Sequence, residues 1–218
     1  MKPQLWIEHS SEETDTPAGL SRYSSGMRAL ADERARRSIH DRCITPVVGR
    51  RLAWHKPANG GLWTSTFGET DGWIDFMDSE QHYFDQDPEQ WRWWLLIPRP
   101  QARIYTVDDR DDLIKLVNAY PGTSSVRNGH EARLTKTLDL FGRFPDWEAV
   151  SKDYDGVHLT SRGQGATRSP IEGAPNLSGW DCESTLWFRW AFSAIVQTSQ
   201  GTVYEALGRA PFSSPDEW

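Results

Sequence analysis

Two carboxylates, Asp181 and Glu183 in GWDCESTLW, stand two residues apart in an aromatic stretch of the chain. On a β-strand that spacing puts both side chains on one face. Trp180 and Trp187 flank them, and a carboxylate beside apolar surface needs a bonding partner or a chemical role. Glycosyl transfer supplies such a role, in which the carboxylate of Glu183 holds a ribose hydroxyl and stabilises an oxocarbenium-like centre. Two further segments offer groups of matching kind. LWIEHSS sets His9 at a predicted strand end, and GGLWTSTF sets the hydroxyls of Thr64 and Ser65 beside Trp63.

Other familiar chemistries lack their residues. The chain has no GxxxxGK[ST], HExxH, paired CxxC, GxSxG or strand-linked GxGxxG pattern. RGQGATR reads either as a flexible turn or as a phosphate contact through its arginines. His40 and Cys43 make half a metal site at best, so no metal is predicted. Cys43 and Cys182 are too few for a disulfide scaffold, and spacing alone does not decide whether they pair.

The elements that position these groups follow from periodicity. LWIEH, LWTSTF, Trp91 to Leu96, Ala102 to Val107, Val157 to Thr160 and CESTLWFRWAF read as strands. Met27, Leu30, Ala31 and Ala35 predict an amphipathic helix over 26–40. The acidic DDRDD cluster with Leu113, Leu116 and Val117 predicts another over 108–120, which Pro121-Gly122 ends. A short helix follows over 146–153. The segment 161–178, rich in Gly, Pro and Ser, is expected to be a mobile loop beside the site, and the chain from about 197 a polar tail. Strands and helices do not alternate regularly, so the fold class is α+β in one domain spanning 1–218.

Composition narrows the partners. Of 218 residues, 24 are Lys or Arg and 31 Asp or Glu, a net charge of -7, so no general basic field exists to hold a duplex. The mean hydropathy is -0.67 and no stretch approaches a spanning helix, so no membrane association is expected. The first residues lack the apolar run of a signal peptide, which predicts a cytoplasmic protein or one exported without such a signal. Twelve Trp exceed what a core of this size needs, and some are expected to line a cleft or a partner surface.

Taken in order, IEHSS, LWTST and WDCEST resemble the ADP-ribosyltransferase superfamily, whose toxin-like and PARP-like members share a small split α+β fold around an NAD cleft. His9 matches the residue of the early strand, Trp63-Thr64-Ser65 the hydroxyl motif of the middle strand, and Glu183 the catalytic glutamate of the late strand. Asp181 stands where Gln or Glu is common. The resemblance implies split mixed or antiparallel β-sheets with flanking helices, NAD as co-substrate and nicotinamide as leaving group. It implies cofactor-side roles for His9, Trp63, Thr64 and Ser65. Glu183 and Asp181 would be catalytic, Asp181 by orienting or deprotonating the nucleophile. Arg162, Arg168 and Trp180 fall on the acceptor side. The acceptor would be a protein or nucleic acid, in a setting of bacterial or phage conflict where an antitoxin or immunity protein is the expected partner. An NAD glycohydrolase and a non-enzymatic Trp-rich binding module are the alternatives.

Overall fold

The structure, a computed structural model, describes residues 1–9, 47, 56–57, 60–79, 91–122, 144–171 and 173–208, without the side chains of Glu8 and His9. In chain order its elements are β1 (Gln4–His9), β2 (Leu62–Thr66), α1 (Trp73–Ser79), β3 (Trp91–Pro98), β4 (Ile104–Val107) and α2 (Arg110–Ala119). Then come α3 (Trp147–Asp153), β5 (Gly156–Leu159), α4 (Ser161–Arg168), β6 (Ser184–Trp187), β7 (Phe192–Thr198) and α5 (Gln200–Ala206). The helix expected over 26–40 lies outside the described residues.

The strands form one seven-stranded sheet in the order β4-β5-β6-β2-β1-β3-β7. Only the β4–β5 pair is parallel, so the sheet is mixed and mostly antiparallel, and with its helices it makes the α+β architecture predicted. In place of two separate sheets, the two halves meet along a short β1–β2 register of Gln4↔Thr66 and Leu5↔Ser65.

Local chemistry explains the helices. Asp109 caps α2 by accepting from the backbone N–H of Asp112, and Asp146 caps α3 by accepting from Ala149. Both helices press their apolar stripes onto the sheet. Leu113, Leu116 and Val117 of α2 and Trp147 and Val150 of α3 share a core with Val107, Val157, Leu159 and Leu186. Each fully buried Leu or Val contributes roughly 1.5–3 kcal/mol, so this layer dominates the stability of that half. Ile74 of α1 and Val203 and Tyr204 of α5 cover Leu5 and Trp93 in the same way. Residues 197–206 are therefore strand and docked helix, not a polar tail.

Strand alternation places a different surface on the opposite face. Thr106, His158, Thr185 and Thr64 are successive Cα partners across β4, β5, β6 and β2, so they form one polar row. Their chain neighbours Val107, Val157, Leu159 and Leu186 point into the helix-covered core.

The expected mobile loop over 161–178 is also corrected: its first part is helix α4. Thr160 caps it, its hydroxyl accepting from the Gly163 N–H at 3.0 Å. Gly163 is required where it stands, because a Cβ there would lie 2.1 Å from the Val107 carbonyl oxygen. The glycine that argues against a helix in the sequence lets this one lie against β4. Among the described residues, no helix is long and apolar enough to cross a membrane.

Candidate functional site

Glu183 ends the bend that precedes β6, and its side chain is 2% exposed. Its backbone N–H donates to the Asp71 carbonyl at 2.8 Å, which fixes the residue under the β2–α1 turn. Its carboxylate has four polar contacts, three of them from fixed donors. Oε2 accepts from Ser65 Oγ at 2.8 Å and from the Thr66 backbone N–H at 3.0 Å. Oε1 accepts from Thr66 Oγ1 at 2.7 Å and faces His158 Nε2 at 2.8 Å.

A directional chain feeds one of those donors. Trp187 Nε1 donates to Thr64 Oγ1, Thr64 to Gln4 Oε1, and the Gln4 amide to Thr66 Oγ1, which then donates to Glu183. Three of the contacts are donors in either protonation state, and His158 Nε2 completes the set when it carries the hydrogen. Burial alone pushes the Glu183 carboxyl up. The hydrogen bonds from His158 and from the Thr66 backbone and hydroxyl outweigh it, and the group titrates below the usual carboxylate range.

The turn above the carboxylate is shaped to it. Asp71 adopts a left-handed conformation, with φ 62°, that an Asp tolerates better than most residues. At Gly72 a Cβ would fall 2.3 Å from Ser65 Oγ and 3.4 Å from Glu183 Oε2, so only glycine fits without displacing the serine. Ser65 Oγ also accepts from the Trp73 backbone N–H at 3.1 Å, tying α1 to the same point.

Glu183 and His158 open onto a cavity of about 580 Å³, lined also by Thr66, Thr106, Thr160 and Arg162. Its volume falls in the range of roughly 300–1,000 Å³ typical of small-molecule sites. Two ion pairs stand around it, Lys2 with Glu69 and Arg162 with Asp108. Arg162 and Thr160 hold the Asp108 carboxyl below its ordinary range. Exposed pairs of this kind are screened by solvent and contribute little, so either basic group is cheaply turned toward an anionic ligand.

The site residues expected from sequence divide into two groups. Ser65 and Glu183 come together, and Arg162 lies at the cavity. His9 does not converge with them: β1 runs antiparallel to β2, so Gln4 meets Thr66 while His9 pairs with Trp91 at the far end of the strand. Five residues of strand, roughly 16 Å, separate His9 from the level of Thr66. Thr64 spends its hydroxyl on Gln4 and Trp187 within the sheet.

Asp181 and Glu183 do not share a strand face, because β6 begins only at Ser184. The Asp181 side chain is 47% exposed and pairs with Lys56 at 2.9 Å. Trp180, 1% exposed, is core: it meets Trp63 edge-on at 4.6 Å and stacks on Trp147 at 5.7 Å. Trp63 joins that core and carries Lys56 over its ring at 5.6 Å. Arg168 sits in the last turn of α4, at the end opposite Arg162.

The sequence reading missed His158, Thr66, Gln4 and Gly72. A signal for His158 existed in GVHLT, where a lone imidazole alternates with apolar Val157 and Leu159. For Thr66, the alternation of TST already placed it on the face opposite Ser65. Among the described residues the exposed large hydrophobic side chains are Met1, Ile171 and Val196, while Trp6, Trp63, Trp73 and Trp91 line a second, smaller cavity of about 240 Å³. No group of three or more His, Cys, Asp or Glu is placed among them to hold a metal ion.

No family model, curated protein or solved structure matches the chain.

Proposed function

We propose that the protein is an NAD-dependent ADP-ribosyltransferase whose catalytic residue is Glu183. The observation that carries the reading is a buried carboxylate, held below the usual carboxylate range by its hydrogen bonds, on the wall of a cavity of small-molecule size. Such an anion, placed beside the ribose, stabilises the positive charge that moves onto C1′ as the bond to the leaving group lengthens, which is the requirement of glycosyl transfer. NAD would supply a ribose C1′ bonded to a positively charged pyridine nitrogen, and nicotinamide leaves it neutral without needing a proton.

The surrounding residues then divide the work. Ser65 and Thr66 fix the carboxylate so that it need not reorganise as charge appears. Arg162 and Lys2 are the basic groups at hand for a diphosphate, each released from an exposed carboxylate. A second reading, an NAD glycohydrolase, is favoured by Asp181, which faces Lys56 and so leaves the cavity without the second carboxylate expected to activate a large acceptor.

The test is incubation with NAD labelled in the adenosine half, alone and with protein or RNA. Nicotinamide release with label on the acceptor supports transfer, and release with free ADP-ribose alone supports hydrolysis. No release under any of these conditions ends both readings.

A further inference from the structure

His158 is the cavity-lining member of the Glu183 cluster with a nitrogen to spare. Its ring is 17% exposed against 2% for Glu183, and Nε2 lies 2.8 Å from Oε1. With Glu183 ionised among its three fixed donors, Nε2 carries the hydrogen that fills this contact. Nδ1 is then the unprotonated nitrogen, and no hydrogen bond to it occurs among the described residues. A buried carboxylate that fixes one imidazole nitrogen as N–H leaves the other as a base and stabilises the imidazolium that forms. Asp181, the other candidate for this work, is turned onto Lys56.

We propose that His158 is the general base for an oxygen acceptor, taking the proton of water or an alcohol at Nδ1 as that oxygen bonds to the ribose. The inference rests on the ADP-ribosyl-transfer reading and assigns its acceptor class. As the C1′–N bond breaks, its electron pair stays on the nicotinamide nitrogen. A lone pair of the acceptor oxygen forms the new C1′–O bond, its proton passes to Nδ1, and the imidazolium later returns it to solvent. An O–H group becomes acidic as its oxygen bonds to carbon, so a neutral imidazole suffices. A guanidinium holds its proton too firmly for that base.

The charged groups near the imidazole are Glu183 before β6, Asp108 after β4, Arg162 on α4, Lys2 and Glu69 across the cavity, and the α-amino group of the lining residue Met1. Four of these pair with each other, Asp108 with Arg162 and Lys2 with Glu69, which leaves Glu183 as the carboxylate partner of His158.

The experiment follows nicotinamide release from NAD by the wild type and by His158→Gln, whose amide can still donate to Glu183. Water, methanol and azide serve in turn as acceptors between pH 5 and 9. Azide is an anion and needs no base. His158→Gln is expected to lose roughly 10²–10⁴-fold with water and methanol and to lose the acidic limb of the profile. It should retain near wild-type release with azide and NAD binding within a few-fold. A variant that binds NAD but is slow with azide as well, or that keeps its rate and pH profile with water, overturns the base assignment and leaves the transfer reading intact. A wild type that releases nothing with all three acceptors overturns the transfer reading, and this inference with it. Nitrogen-15 spectra of wild-type His158 test the tautomer without catalysis: a hydrogen on Nε2 agrees, and one on Nδ1 alone refutes it.

Discussion

Ser65 Oγ and Glu183 Oε2, 118 residues apart in sequence, lie 2.8 Å apart at the centre of the sheet. The serine holds both ends of the arrangement, because its oxygen also accepts from the Trp73 N–H that starts α1. The bond joins the β2–α1 turn to the approach to β6 and fixes the carboxylate before any ligand arrives. Preorganisation of this kind is the largest single contribution available to a site that stabilises developing charge.

Glu183→Gln therefore separates charge from shape. The amide nearly conserves volume, but its NH₂ must face donors that the carboxylate accepted. Turning the carbonyl toward the Thr66 N–H leaves the NH₂ against Thr66 Oγ1 and His158. The lost charge-assisted hydrogen bonds cost about 1.5–3 kcal/mol, a lower melting temperature but a folded protein. Nicotinamide release should fall roughly 10²–10³-fold, with NAD affinity changed far less. A folded variant with near-normal release contradicts the catalytic assignment.

The strands and the capped helices were legible because their signals are local. Alternation in LWTST and the acidic cap before Leu113 each lie within one element. α4 was not legible, because its support comes from Thr160 and from a close approach to Val107 that composition does not reveal. The site divides the same way. Ser65 and Glu183 were found through residue type and order, whereas His9 was misplaced because order carries no strand direction. Antiparallel pairing brings Gln4, the start of β1, to Thr66 and carries the end of the strand away. His158 was missed because a single polar residue in an apolar strand acquires meaning only when β5 is set beside β6.

Two threonines on one strand face give a sharper comparison. Thr64→Val and Thr66→Val each remove one buried hydroxyl and keep the branched shape. Thr64 is bonded to Gln4 and Trp187 alone, so its loss should destabilise by about 1–3 kcal/mol and leave turnover of the folded protein near wild type. Thr66 donates directly to Glu183, so its loss should lower turnover by about tenfold besides lowering stability. Steady-state kinetics beside thermal melts check both. Equal kinetic effects from the two would mean that the sheet network acts as one structural unit.

Gly72→Ala probes the turn. Its methyl group, placed 2.3 Å from Ser65 Oγ, must push the serine or the turn aside. Overpacking of this sort costs typically about 1–3 kcal/mol. Because the serine is the atom displaced, turnover should fall together with the melting temperature. Gly165→Ala, inside α4 where a Cβ meets nothing within 4 Å, is the control and should leave turnover near wild type while keeping or raising the melting temperature.

Acid sensitivity follows from the sign of the Glu183 shift. Its carboxyl titrates below the ordinary 4.5 in the folded protein, so the unfolded chain binds this proton more readily. The stabilisation is fully present above that ordinary value and is lost as pH falls through the folded one. The contribution of the Glu183 carboxylate to the stability difference between wild type and Glu183→Gln should shrink as pH falls below about 5. Urea titrations at a series of pH values measure it. A gap that widens on acidification would mean that Glu183 is held protonated in the fold.

Cys182 offers a readout of the same region that needs no substrate. It is a free thiol, 7% exposed, one residue before the carboxylate. Burial first, then the neighbouring Glu183 and Asp181 carboxylates, push the thiol up to about 12. Because the thiolate is the reactive form, almost none is present at pH 8. Iodoacetamide should therefore modify Cys182 only as fast as the bend before β6 opens, orders of magnitude more slowly than a free cysteine. Glu183→Gln weakens the bonds that close this bend and removes one repelling charge, so labelling should accelerate in that variant. Mass spectrometry of the peptide carrying residue 182 gives both rates. Fast labelling of the wild type under native conditions would show that the carboxylate cluster does not hold the bend shut.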